Sequence, residues 1–490
     1  MQSYHADNDP RRWRALIVLL SATFMAQLDA FIVNVAVPDI QINLHASSSA
    51  VQFVLAGFTL AYSVLIVTGS RLGDLFGRKR LFQFGMLGFT VSSALCGLAW
   101  SALSLILFRV LQGISAAAMM PQIFPFIRIS FPANERGRAF SLYGATIGLA
   151  SIMGQLLGGL LISQNVFGLG WRAVFLVNLP IGVLALLAGI PLLRESRSSS
   201  VNSLDGVGAF ILSVSLFVLV YPLVQGREAG WPWWSIALLI SFPVSMTLFI
   251  LYERHLLGNG GAPALPPTLF RDRPFALGIS LILVFYAIAS SLFFTLAVTL
   301  QHGFGYSALT SGMAYLPLGI GFFLTSLVSS KFTQQYGPSV LLFGDLITII
   351  GIAITMQVVH HQSASLVWSD MLPGLFVIGL GLGTCAAPLN ATILSGVHQD
   401  NAGQASGVMT TATQLSTAFG VCFVGIFYYH AFAQSIGPSR AVYAHAFEMA
   451  LTFALALAIA YAFLLILLTR SRKGNRSNEA DLRATTPHSH

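Results

Sequence analysis

The chain has 490 residues, 55% of them hydrophobic and only 9% charged, and a mean hydropathy of +0.76. A soluble domain carries about 25% charged residues, so this composition excludes a water-soluble enzyme or binding module and requires a multi-pass membrane protein. The net charge of +8 does not point to nucleic acid, because the positive residues are spread over short loops and chain ends rather than gathered on one face.

The chain opens with a polar tail, residues 1–13, that includes Arg11 and Arg12. The apolar run that follows is too long for a signal-peptide core and lacks a small-residue cleavage site, so it reads as a retained first helix. A helix needs about 20 apolar residues to cross a bilayer. By that measure six spans fall within residues 14–194, two within 195–273 and six within 274–470, which predicts an all-α membrane protein of fourteen helices. The eighth span is followed by a Gly- and Pro-rich break, RHLLGNGGAPALPPTLFRDR, which predicts a linker between two six-helix bundles. Residues 471–490 are polar and basic, and read as a disordered tail. Cys96, Cys385 and Cys422 lie singly in apolar runs, with no disulfide or metal spacing.

Charge orients these spans. Among the 25 Lys and Arg, Arg172, Arg227 and Arg440 fall in loops opposite the termini and Arg109 falls within a span; the others lie on the side of both termini. The positive-inside rule then predicts cytoplasmic termini in a cell membrane.

The first span contains Asp29 and the fourth contains Arg109, in LDAFIVNVAVPDI and LILFRVLQGISAA. A charge at such depth costs roughly 3 kcal/mol on insertion scales and so marks function or pairing. Counted from the outer helix ends at about 1.5 Å per residue, both sit roughly 10–14 Å deep. The two are therefore expected to pair, with Asp29 as the exchangeable proton site and Arg109 setting its affinity; the plainer alternative is a structural pin for the first bundle.

The second and third spans flank GSRLGDLFGRKR, read as a tight basic loop. It contains Gly69, Gly73 and Gly77 at four-residue intervals, with Arg71, Asp74, Arg78, Lys79 and Arg80 among them. A positive-inside loop explains the basic residues but not an Asp set among glycines. The corresponding stretch of the second half, Ser330 to Pro338, keeps a basic residue and a Gly but no Asp. Span five reads GATIGLASIMGQLLGGLL, in which Gly144 and Gly148, then Gly154, Gly158 and Gly159, give small-residue faces for close helix crossing. Candidate cavity residues are Gln27, Asn34, Phe285, Phe293, Asp345 and Gln414. His360 and His361 read as solvated, and Asp370 and Glu448 as interfacial.

The glycine, Asp and basic pattern of Gly69 to Arg80 resembles the loop between helices two and three of major facilitator superfamily transporters. The stretches around Asp29 and Arg109, WRAVFLVNLPIG (Trp171 to Gly182) and AGQASGVMTTATQLSTAFG (Ala402 to Gly420) are similar to the fourteen-helix drug:proton antiporters of that superfamily. The resemblance implies two six-helix bundles plus two linker helices, alternating access, and proton-driven export of hydrophobic or amphipathic compounds. It also implies that Asp74 latches onto the start of the penultimate helix near Ala402, and that the span-five glycines form an antiporter-type motif. Here Gln155 stands where that motif has Pro.

No G-x-x-x-x-G-K-[ST] occurs, and the three lysines (Lys79, Lys331, Lys473) follow no such loop, so ATP hydrolysis within this chain is excluded. No H-E-x-x-H or G-x-S-x-G supports a membrane hydrolase. The expected partners are the bilayer, a small-molecule substrate and protons, with no cofactor or metal, acting as a monomer; an outer adaptor leaves no readable segment. Two alternatives stay open: a proton-coupled symporter that takes up a metabolite, and a non-transporting membrane receptor or assembly subunit.

Overall fold

The computed structural model describes residues 10–197, 205–226, 230–259, 261, 267–362, 365–395, 397, 402–433 and 439–485. Among these every long element is helical, as it must be where the bilayer offers the backbone no hydrogen-bond partner. In chain order the helices are α1 (Arg12–Asn43), α2 (Ser48–Phe76), α3 (Arg78–Gly97), α4 (Ala102–Met119), α5 (Ile123–Ser130), α6 (Ala133–Ser163), α7 (Ala173–Leu176), α8 (Asn178–Leu192), α9 (Gly206–Gln225), α10 (Trp233–Gly258), α11 (Arg273–Val298), α12 (Ala308–Ala314), α13 (Leu316–Tyr336), α14 (Ser339–Gln362), α15 (Leu372–Ser395), α16 (Ala402–Ala433) and α17 (Arg440–Thr485). Three crossings are interrupted: α4–α5, α7–α8 and α12–α13.

Thirteen of these crossings are long and apolar enough to span a bilayer. The fourteenth expected span is α3, whose 20 residues open with Arg78, Lys79 and Arg80. Helix starts follow local chemistry. Ser47 accepts from the Ala50 amide at 3.2 Å. Ser101 and Ser104 form a reciprocal capping box at the start of α4, and the Asp205 carboxylate accepts from the Gly208 amide at 2.8 Å.

The first half packs α2 and α3 on α4, and α1 on α6 and α8. The second packs α13 and α14 on α15, and α16 and α17 on α11. The halves meet where α6 crosses α12, α13 and α15, and where α16 crosses α2 and α5. The extra pair is not in either bundle. α9 lies against α2, with the Ser213 hydroxyl donating to the Val64 carbonyl at 3.2 Å. α10 packs on α9 and is otherwise peripheral, with only 11% of its apolar window buried and Ile240, Val244 and Leu248 turned outward as lipid-facing residues are.

Two expectations change. The stretch Gly69 to Arg80 is not a loop: α2 continues to Phe76, and a single residue, Gly77 at φ 112°, separates it from α3. Only Gly supplies that positive φ without strain, so the turn needs one residue rather than twelve. The C-terminal stretch is not wholly irregular either. α17 runs on to Thr485, since no proline interrupts it before Pro487; residues 486–490 fall outside the described set.

Candidate functional site: a buried ion pair and the seam between the halves

Asp29 and Arg109 are brought together. They are 0% and 1% exposed, and the guanidinium Nη1 donates directly to Asp29 Oδ2. Both meet inside the first bundle, where α1, α3, α4 and α8 converge. Arg109 donates also to the Val54 carbonyl at 3.1 Å and to Gln112 Oε1 at 2.7 Å. The second carboxylate oxygen accepts from Gln112 Nε2 at 2.9 Å and from Asn178 Nδ2 at 3.1 Å. Ser93 holds those two amides from behind, at 3.3 and 3.1 Å, and donates to the Phe175 carbonyl at 3.0 Å. Phe58 lies under the guanidinium at 4.6 Å, a cation–π contact in a dry site. Every charge is thus met by hydrogen bonds, the condition under which a buried pair is tolerated. Gln112 stands three residues after Arg109, one helical turn along the same face, which makes it legible from spacing. Asn178, Ser93 and Phe58 come from other helices and carry no such signal.

The Gly69–Arg80 stretch is built from both sides of the Gly77 turn. Asp74, 1% exposed, accepts from Arg78 Nε at 3.1 Å and Nη2 at 2.7 Å through Oδ1 alone; Oδ2 has no partner among the described residues. Gly69 and Gly73 lie on one face of α2. A Cβ at Gly69 would fall 2.0 Å from the Ala117 carbonyl oxygen, and one at Gly73 would fall 2.1 Å from Gln122 Oε1. Glu195, which the sequence does not mark, caps α3: it accepts from the Lys79 and Arg80 amides at 3.1 and 3.2 Å. Lys79 Nζ donates to the Ile190 carbonyl at 2.7 Å and Arg80 stands 3.8 Å from Glu195. Arg71 is 4% exposed, and the acids that bear on it are Asp74, Glu253 and Asp205, the last two from the extra helix pair. The expected partner of Asp74, the start of α16, comes close to this face: Gly407 lies against Ser70, and the Ser406 hydroxyl donates to the Pro121 carbonyl at 3.1 Å.

The span-five glycines divide between two neighbours. A Cβ at Gly144 would meet Ser326 Oγ at 2.8 Å, one at Gly148 would meet Phe322 at 2.4 Å, and Gly159 faces Leu309 at 3.3 Å, all in the second half. Gly154 and Gly158 face α1, at Phe31 and Ile32. α6 therefore touches the helix that carries Asp29 with one face and the opposite half with another. Around Gly144, Ser326 donates to the Ser141 carbonyl at 3.0 Å, the Ser141 and Ser329 hydroxyls lie 3.3 Å apart, and Gln334 donates to the Asn134 carbonyl at 3.0 Å.

The cavity candidates separate. Phe293 lies at the seam, stacked on Tyr315 at 5.2 Å and 5.9 Å from Phe31 of the first half. Phe285 and Asp345 do not line the seam. The Phe285 ring is buried against Tyr286 and Tyr461, and the Asp345 carboxylate bears on Cys385 and Tyr461 inside the second bundle. Helical periodicity turned their faces inward, which spacing on one span does not reveal. Gln27 and Gln414 are half-buried, and the Asn34 side chain lies outside the described set. Sequence reading missed Tyr62 and Tyr143, which with Tyr286 bring three phenols from α2, α6 and α11 into mutual electrostatic range; Tyr286 also shares a hydrogen bond with Asn390. Of the remaining polar residues, Asp370 Oδ2 accepts from the Val367 amide at 3.0 Å, and Glu448 pairs with His360 at 2.9 Å.

The family model for the Major Facilitator Superfamily matches residues 19–421. The chain belongs to the Major Facilitator Superfamily. It is accordingly a multi-pass membrane transporter. A probable actinorhodin transporter of Streptomyces coelicolor is 37% identical over 423 residues, covering 86% of this chain and 73% of that one. The puromycin resistance protein pur8 of Streptomyces alboniger is 34% identical, covering 85% and 82%. The multidrug resistance protein Stp of Mycobacterium tuberculosis is 32% identical, covering 84% and 76%. Among solved structures, the human organic anion transporter MFSD10 superposes with a TM-score of 0.67 at 14% identity, over 94% of this chain and 100% of that one, a likeness of fold. Within this major facilitator fold the ion pair lies inside one half, and α6 joins that half to the other.

Proposed function

We propose that the protein is a proton-coupled antiporter that exports hydrophobic or amphipathic small molecules, drugs or secondary metabolites among them, by alternating access. The observation that carries the coupling is the Asp29–Arg109 pair, a fully buried carboxylate on one helix held by a guanidinium on another. Protonation turns Asp29 from an acceptor-only anion into a neutral acid. The attraction to Arg109 then falls, while Arg109 keeps the Val54 carbonyl, Gln112 and the Phe58 face. α1 is freed relative to α4, and its motion reaches the seam through Gly154 and Gly158 of α6, then through Gly144 and Gly148 to α13.

At the other control point, Asp74 keeps one oxygen on Arg78 and has no partner for the other among the described residues, on the helix whose Ser70 meets Gly407 of α16. A carboxylate near a helix N-terminus is stabilised by about 0.3–1 kcal/mol, so Asp74 is suited to hold the cytoplasmic side shut and release it on opening. The substrate path runs between the halves past Tyr62, Tyr143, Tyr286 and Phe293. The names of the antibiotic-exporting and resistance relatives favour export as the direction. Both termini face the cytoplasm, and one chain suffices.

The test uses a host lacking its own exporters. Expression of this chain lowers accumulation of a panel of lipophilic dyes and antibiotics, and collapse of the proton gradient restores it. Accumulation of the whole panel at the level of the empty host would overturn the proposal.

A further inference from the structure

At the end of the molecule that carries Gly77, a cavity of about 420 Å³ opens between the halves, where α5 and α6 face α13 and α15. That volume is in the range of small-molecule sites. Its lining is mostly apolar, with Phe140, Pro388 and Leu394, but it includes Arg128 and Arg136 and, among the described residues, no carboxylate. Arg128 is 7% exposed, and its Nε and Nη1 donate to nothing among the described residues. Among the described residues the charge that bears on it has the same sign, that of Arg136. Arg136 spends its Nε on the Phe131 carbonyl at 2.9 Å. The nearest acid in the sequence, Glu135, is taken by Arg12 at 2.7 and 2.9 Å.

A buried guanidinium cannot escape its cost by losing a proton, and leaving it unpaired is among the least favourable arrangements in a fold. Here the residue lines an empty space of drug-like size with an aromatic and aliphatic wall. We propose that this vestibule is an anion site for amphipathic acids: an apolar ring body against Phe140 and Pro388, and a carboxylate, phenolate or phosphate on Arg128, with Arg136 as the second positive charge. The inference rests on the export reading only for the sense of travel; as a binding site it stands alone. The same chemistry is carried by cargo and by the headgroup of an anionic lipid, and the experiment separates the two.

Full-length protein in phosphatidylcholine nanodiscs is titrated with pyrenebutyrate and with its neutral amide, without any ion gradient, so that failure of coupling or export leaves the readout untouched. The acid is expected to bind at least tenfold tighter than the amide. Arg128→Gln is expected to remove that preference, and Arg128→Lys to keep part of it. Arg128→Met is expected to raise the melting temperature of the unliganded protein, because an unpaired buried charge is gone; a guanidinium with a purely structural role would lower it. Phosphatidylglycerol that displaces pyrenebutyrate from the wild type but not from Arg128→Gln supports the site and names lipid as an occupant; no displacement supports it with cargo as the occupant. Equal affinity for acid and amide, or an acid preference that survives Arg128→Gln, would overturn the proposal.

Discussion

At Asp29 the two partners of the buried pair are not equivalent, and the difference is chemical. Arg109 stays charged whatever surrounds it, whereas Asp29 can take up a proton. Removing the acid leaves an uncompensated cation, and breaking a buried pair in that way costs about 3–5 kcal/mol. Removing the base leaves a carboxyl group that keeps its two amide donors, Gln112 and Asn178. Asp29→Asn is therefore expected to lower the melting temperature more than Arg109→Gln, and the double variant less than Asp29→Asn alone. Thermal unfolding of the three in one detergent checks this, and equal shifts would contradict it. A second residue-scale expectation concerns Gly77, at φ 112° with Glu195 at 2.6 Å from a would-be Cβ. Gly77→Ala is expected to destabilise by about 1–3 kcal/mol and to expose the α2–α3 turn to proteolysis. A protease digest matching the wild type would count against that.

Among the elements, α6 connects the ion pair to the seam. Its two glycine faces make opposite demands, close approach to α1 within the half and close approach to α13 across it. Gly148→Val would put a side chain where Phe322 stands, 2.4 Å from the built Cβ. We expect it to hold the halves apart and cut transport at least tenfold while the protein still inserts; Phe322→Ala is expected to restore much of the loss. Failure of that rescue would place the defect elsewhere. The elements themselves were largely legible. Apolar run lengths give the all-helical class and the number of crossings, because a bilayer demands a helix of nearly fixed length. The motif between α2 and α3 reads as a loop in the sequence, because charged residues look like a break even when a helix end carries them. Glu195, Asn178, Tyr62 and Tyr143 stayed hidden for a different reason: each acts through a partner dozens of residues away, and periodicity reports only the neighbours on its own helix.

For the molecule as a whole, the two halves touch through small polar, glycine and aromatic contacts, with no bridging ion pair among the described residues, a seam suited to parting and reforming. The Ser141 and Ser329 hydroxyls, 3.3 Å apart, give a direct handle. Oxidation of the Ser141→Cys/Ser329→Cys pair is expected to link the halves and stop transport, and reduction to restore it; transport that continues through a complete cross-link would show that this seam does not open. The native Cys96 and Cys385 are buried, and Cys422 is replaced by Ser in the background used. The central claim is that Asp29 converts proton movement into motion of the halves. The measurement that reaches it most directly sets gradient-driven accumulation beside counterflow in inverted vesicles, for the wild type and Asp29→Asn. The account predicts that Asp29→Asn retains counterflow, which needs only alternating access, and loses accumulation driven by an imposed pH gradient. Gradient-driven accumulation at the wild-type level in Asp29→Asn would contradict it.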